Sequence, residues 1–206
     1  SGQIRINDSP SGHPHVRVDW TVTRAGEPAR YFEFLDQRTF GGMQICDRDQ
    51  DGLPVAVSRI ARDPFDPLFD VDAFSEMLTK RSIEVKKGLL DQHLISGIGN
   101  IYADECLWRM GLDGRTPCNH LDHSTAVEIV TTVTGVMSEA LVAGGTSFDA
   151  LYVNVNGESG YFSRSLAVYG REGHPCDRCG DPIIRSKFMN RSSFHCSTCQ
   201  PPWSLP

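Results

Sequence analysis

The chain has 206 residues, 39% of them hydrophobic and 22% charged, which is enough for one or two buried cores and ordinary for a globular protein. Twenty Lys and Arg against 26 Asp and Glu give a formal net charge of −6. That excludes a protein that holds polyanions by bulk charge, so any such binding has to come from a local cluster of cations. No segment reads as a signal peptide, and no apolar run is expected to reach the length a bilayer demands, so we expect a cytoplasmic chain without a membrane partner. Of seven cysteines, Cys46, Cys106 and Cys118 are scattered, which points to a reducing compartment.

Gln3 to Ile6 opens as a strand in mid-pattern, and the chain reads as truncated at its N-terminus. From His15 to Val22 the alternation of Val16, Val18, Trp20 and Val22 with Arg17, Asp19 and Thr21 predicts a half-buried strand. Ala25-Gly26-Glu27-Pro28 turns the chain into a second strand, Tyr31 to Leu35. Gly42 to Cys46 and Val55 to Ser58 are expected to pair across the turn at Asp47–Gly52. Residues 1–62 thus read as part of an antiparallel sheet. The prolines of Asp63-Pro64-Phe65-Asp66-Pro67 force extended geometry on their predecessors and mark a junction.

Beyond that junction the period becomes helical. Asp70 caps a helix carrying Phe74, Met77 and Leu78, and a second helix is expected from about Ile83 to Gln92. A third begins after Gly97-Ile98-Gly99 and ends at Gly111, and a fourth carries Val127, Val130, Val133, Met137 and Leu141 as far as Gly144-Gly145. The Gly97-Ile98-Gly99-Asn100 turn permits close backbone approach, and the helix after it offers free N–H groups to an anion. Taken alone, the same turn fits a helix pair packed only for structure. Lys86 and Lys87 one helix earlier favour phosphate.

The last stretch is the most specific. Cys176-x2-Cys179, sixteen residues, then Cys196-x2-Cys199 is the spacing of a four-thiolate site for one structural Zn²⁺. Between the pairs, Ile183, Ile184, Phe188 and Phe194 flank the polar tip Met189-Asn190-Arg191-Ser192, a hairpin too small to hold without metal. Arg164, Arg171, Arg178, Arg185, Lys187 and Arg191 outweigh Glu172, Asp177 and Asp181 here, as a probe for a polyanion would require.

Ile98-Gly99-Asn100-Ile101-Tyr102-Ala103-Asp104-Glu105, the Tyr161-Phe162 and Val168-Tyr169-Gly170-Arg171 segments and the four-cysteine ribbon together resemble the formamidopyrimidine-DNA glycosylase (8-oxoguanine DNA glycosylase) family. The resemblance implies an α+β chain. It would hold the remnant of an N-terminal antiparallel β-sandwich (1–62), a helix-two-turn-helix bundle (63–145), a lesion-recognition loop (146–168) and a zinc ribbon (169–206). It also implies base-excision repair: extrusion of an oxidised purine from duplex DNA, cleavage of its glycosidic bond and strand nicking by β,δ-elimination.

By the same resemblance Asn100, Lys86 and the Gly99 turn would hold phosphates around the lesion. Arg191 would meet the backbone and serve the δ-elimination, and Tyr169 would contact DNA. Asp36 to Gly41 is similar to the family's intercalation loop, with Phe40 as wedge and Arg38 facing the orphaned cytosine. Without that resemblance Phe40 reads as a buried hairpin aromatic. His13 and Arg81 fall at further backbone contacts, or are an ordinary loop histidine and a solvated arginine. The partner implied is damaged double-stranded DNA, bound by a monomer.

The family's amino-terminal proline nucleophile, its glutamate acid and its sheet-domain lysine have no counterpart from Ser1 onward, so this chain is expected to bind DNA without excising bases. Thr39 replaces a common arginine and Asp149 a common basic residue. Two other readings stay open: an endonuclease VIII-like glycosylase for oxidised pyrimidines, and a non-catalytic zinc module that binds DNA.

Overall fold

The computed structural model describes residues 2–37, 39–50, 52–145 and 165–204. Backbone contacts group the chain into two units, residues 1–47 with 142–164 and residues 48–141 with 165–206.

In the first unit β1 (Gln3–Asn7), β2 (Val16–Val22) and β3 (Arg30–Leu35) form an antiparallel sheet in the order β1-β3-β2. The aromatic run of β3 suits the central position, because its side chains have cross-strand neighbours on both sides. Ile4 and Val18 lie opposite Phe34, and Ile6 and Trp20 opposite Phe32, which gives one apolar face where Trp20 and Phe32 stack at 5.6 Å. On the other face the buried Glu33 carboxylate accepts from Asn7 Nδ2 at 2.9 Å and from the Ser11 amide at 2.7 Å.

Two expectations for this sheet fail. The register shifts between Val16 and Val18, so Val16 pairs with Leu35 and leaves the face it was expected to share with Val18, Trp20 and Val22. One extra residue, Arg17, reverses the alternation, and its Nε donates to Asp36 O at 3.0 Å. Val18 and Val22 are exposed rather than half-buried. The expected pair 42–46 and 55–58 does not form either. Arg48 makes a single bridge to Pro54 around a turn in which Asp49 accepts from Leu53 N, and Val55–Val57 is a short 3₁₀ turn. Proline has no N–H to extend a ladder, so pairing stops where it starts.

Residues 48–62 contact the helices, with Ala61 N donating to Gln92 O at 2.8 Å. Among the described residues the α-helices are α1 (Val71–Thr79), α2 (Val85–Leu89), α3 (Asn100–Met110) and α4 (His123–Val142). Asp70 caps α1, its side chain accepting from Ala73 N at 2.9 Å. Phe74 and Leu78 enter the core as expected, but Met77 is exposed and the buried third position is Ser75. The α2 helix is shorter than expected: it begins at Val85, whose amide, like that of Lys86, bonds to the 114–116 segment, and it ends in a tight turn where Asp91 N donates to Gly88 O. Gly88 lets α1 and α2 approach closely, since a Cβ there would lie 2.7 Å from Leu78 Cδ1.

The α4 helix corrects another expectation. It has 20 residues and a mean hydropathy of 1.3 over its most apolar window, long and apolar enough to cross a membrane by length and composition. Ala126, Ile129, Val130, Val133, Val136 and Ala140 are buried, while Leu141, expected on this stripe, is exposed. Ala126, Ile129, Val130 and Val133 pack with Leu78, Val85, Leu89 and Leu107, each large aliphatic residue contributing about 1.5–3 kcal/mol by leaving water. A helix whose apolar stripe is already spent in this way is a core helix.

Candidate nucleic-acid interface and metal centre

The turn between α2 and α3 is closed by Gln92, whose Oε1 accepts from Gly97 N and whose Nε2 donates to Ile98 O, each at 3.0 Å. Gly97 has φ +82°, and a Cβ there would lie 3.2 Å from Met137 Cε, so both conformation and space call for glycine. Gly99 caps α3 with extended backbone and no side chain, which leaves the first amides of the helix without a side-chain cap. These are the groups an anion would meet.

One side of α3 binds the ribbon. Asn100 Nδ2 donates to Ser192 O at 2.7 Å. Four residues on, the Asp104 carboxylate accepts from Ser193 Oγ at 3.1 Å and from Phe194 N at 3.0 Å. Glu105, also buried, accepts the amides of Ala167, Val168 and Tyr169, all at 2.9 Å. Asp104 and Glu105 stand in the same run of sequence as Asn100, but only Asn100 was expected to have a role. Their signal was present in the four-residue spacing from Asn100 to Asp104, which repeats one face of a helix.

Lys86 is where the structure departs most from expectation. It was expected at a phosphate, yet it has no exposed surface, and its Nζ lies 2.6 Å from Asp104 Oδ1. At that distance the contact is a charge-assisted ion pair, and it lies under the Phe188 ring, whose centroid is 4.9 Å away. Burial lowers the Lys86 pKa and raises that of Asp104, and each charge opposes the shift of the other. Lys86 therefore joins α2 to α3, and the exposed lysine on this helix is its neighbour Lys87.

The ribbon hairpin is β4 (Ile184–Phe188) and β5 (Arg191–His195). Phe188 pairs with Arg191, so the turn is only Met189-Asn190, and Arg191 begins β5 rather than lying inside a four-residue tip. Below it the four cysteine sulfurs all lie within 4.8 Å of one another, Cys176 to Cys199 at 3.8 Å and Cys179 to Cys196 at 3.4 Å. Tetrahedral zinc with bonds of about 2.3 Å puts its sulfurs about 3.8 Å apart, so the set fits one Zn²⁺.

Burial opposes ionisation of Cys176, but the Arg178 and Cys179 amides and the Trp108 indole outweigh it and bring its pKa to about 6. Cys199 is pushed up to about 12 by burial and the neighbouring thiols. Four thiolates this close need a divalent cation to ionise together, which is what bound zinc supplies. Trp108 Nε1 donates to Cys176 Sγ at 3.4 Å and ties the metal site to α3.

Fewer ribbon cations are free than the sequence count implies. Arg171 is spent on Asp177 and on the carbonyls of Leu166, Ala167 and Pro175. Arg178 donates to Trp108 O and Arg109 O and lies over the Trp108 ring at 4.1 Å. Arg185 bonds Ser192 Oγ and faces Glu172. Among the described residues, Lys187 and Arg191 are exposed and take no hydrogen-bond or ion-pair partner.

The remaining candidates are divided between the two units. Arg81 pairs with Asp91 at 2.8 Å, and Tyr169 packs edge-on against Phe194 at 4.9 Å. In the first unit Phe40 is 81% exposed, against its reading as a buried hairpin aromatic, and Asp36 Oδ2 accepts from Gly41 N beside it. His13 accepts the His15 amide at its Nδ1. Arg38, Asp149, Tyr161, Phe162 and most of the expected loop 146–168 lie outside the described residues.

Comparison with known proteins agrees with this geometry. Residues 60–151 match the model of the formamidopyrimidine-DNA glycosylase H2TH domain. A formamidopyrimidine-DNA glycosylase of Streptomyces avermitilis is 56% identical over 203 residues, which is 97% of this chain and 70% of that protein. One from Mycolicibacterium vanbaalenii is 50% identical over 204 residues, covering 98% and 68%. Among solved structures, the MutM (Fpg) protein of Thermus thermophilus superposes with a TM-score of 0.79 at 32% identity, covering 98% of this chain and 73% of that one. Lactococcus lactis Fpg in complex with DNA containing an abasic site superposes with a TM-score of 0.76 at 27% identity, covering 98% and 72%.

Proposed function

Because this chain belongs to the formamidopyrimidine-DNA glycosylase family, we propose that it acts in the base-excision repair of oxidised purines, and that its residues supply the grip on lesion-bearing duplex and the contact that serves strand cutting at the abasic site. The observation that carries this reading is the bond from Asn100 to Ser192 O, which sets the uncapped start of α3 beside the strand that begins with Arg191. A helix N-terminus and a guanidinium without a protein partner suit adjacent phosphates of one strand. Arg191 is then the backbone contact that serves the elimination, and Asn100, which has a second amide hydrogen, assists it. Phe40, whose exposed ring suits an intercalating wedge, fills the gap left by the extruded base.

The overall charge of −6 favours lesion-bearing duplex over DNA in general, since few phosphates meet free cations. We place the protein in the cytoplasm, at the nucleoid while bound. The segments 1–62, 63–145, 146–168 and 169–206 then divide the work into sheet, helix pair, recognition loop and ribbon.

A gel-shift titration with abasic-site duplex tests the reading. Arg191→Ala should raise Kd about tenfold or more, as loss of a charged hydrogen bond worth about 1.5–3 kcal/mol requires. Unchanged affinity with a full zinc complement would overturn it.

A further inference from the structure

Between α2 and the hairpin turn lies a groove of which the roles assigned above use only Arg191. It has a volume of about 240 Å³ and is lined by Ile83, Leu90 and Met189, with Lys87, Asp91 and Arg191 as its charged groups. Lys87 is exposed and, among the described residues, takes no protein acceptor. Asp91, the one acid there, is already engaged by Arg81 and by the amide and ring of His93. The groove thus presents two cations without protein partners above an apolar floor. Its volume is below the roughly 300–1,000 Å³ of pockets that enclose a whole small ligand, so it suits one backbone unit of a longer polymer.

Resting on the repair reading, we propose that this groove holds one sugar-phosphate of the bound duplex, next to the phosphate taken by Arg191, with Lys87 neutralising it and the sugar lying on Ile83, Leu90 and Met189. Charge complementarity selects the phosphate, and the apolar floor selects a sugar-phosphate over a free ion. Lys86 cannot serve in its place, because it is buried against Asp104. Consecutive lysines on this short helix therefore divide the labour: Lys86 holds the fold and Lys87 meets the ligand.

The test measures Kd for abasic-site duplex against salt concentration, using the zinc-loaded chain and its Lys87→Ala and Lys87→Arg variants. Each neutralised phosphate contributes about 0.9 to the slope of log K against log salt. Lys87→Ala should reduce the slope magnitude by about one and weaken binding several-fold at low salt, with zinc content unchanged, and Lys87→Arg should restore both. An unaltered slope in Lys87→Ala, with the parent chain binding normally, would overturn the groove assignment alone. If the parent chain itself binds no abasic duplex, the repair reading falls and this groove falls with it.

Discussion

Arg191 and Phe40 stand on regions built in different ways. Arg191 begins a strand whose next three residues are bonded to α3, through Asn100 to Ser192 and through Asp104 to Ser193 and Phe194, above a four-thiolate metal site. Phe40 sits in a loop beside Thr39, which has φ +55°, and the buried Asp36 carboxylate receives the amide of Gly41. The contrast shows what each task demands. A group that must meet a phosphate at fixed geometry needs its backbone held from several sides, whereas an apolar wedge needs only exposed area and a short reach.

Removing the metal should break this comparison most completely. Structural zinc contributes about 10–16 kcal/mol to the domains that depend on it. Chelation or Cys196→Ala should therefore abolish amide-exchange protection across β4 and β5 and eliminate binding to abasic duplex, while β1 to β3 keep their protection. Protected β4 and β5 amides in the zinc-free protein would show that α3 alone carries the hairpin.

Asp104 tests the remaining anchor. Asp104→Ala leaves the Lys86 ammonium buried without a counter-charge, which costs about 3–5 kcal/mol and should lower the urea midpoint accordingly. Replacing both residues, Lys86→Met with Asp104→Leu, should recover most of the lost stability, although the bonds to Ser193 and Phe194 stay broken. A loss below about 1 kcal/mol in Asp104→Ala would mean that the ion pair is not what ties α2 to α3.

The smallest effect lies in the sheet. The Ser11 hydroxyl, opposed by burial and helped by the Ser11 amide and Asn7, holds the Glu33 carboxyl below its usual 4.5. The folded state thus binds this proton less readily than the unfolded chain does. The stabilisation is fully present above pH 4.5 and is lost as pH falls through the lowered folded value. Acid unfolding of Glu33→Gln should show a shallower loss of stability below pH 4.5 than the parent chain. Identical acid limbs would remove Glu33 as a determinant.

Local patterns carried much of this chain into view. The caps at Asp70 and Gly111, the glycine turn and the two cysteine pairs each depend on chemistry confined to a few neighbouring residues, and each was legible. The pairing of 42–46 with 55–58 was misread because Pro54 gives up its donor at the point where a ladder would start. Val16 was misread because a single bulged residue puts it on the opposite face from Val18, Trp20 and Val22.

By itself the sequence determined the metal site and the position of the glycine-kinked helix pair, because spacing between near neighbours suffices for both, and the family followed from the resemblance of whole segments. Only the tertiary structure decided which charges are free. Lys86 and Lys87 are adjacent in the chain, yet one is sealed against Asp104 and the other faces solvent, and Arg171 and Arg178 are spent on carboxylate and carbonyl oxygens. Burial and counter-charge depend on which distant residues pack nearby, and formal charge along a chain contains no record of that.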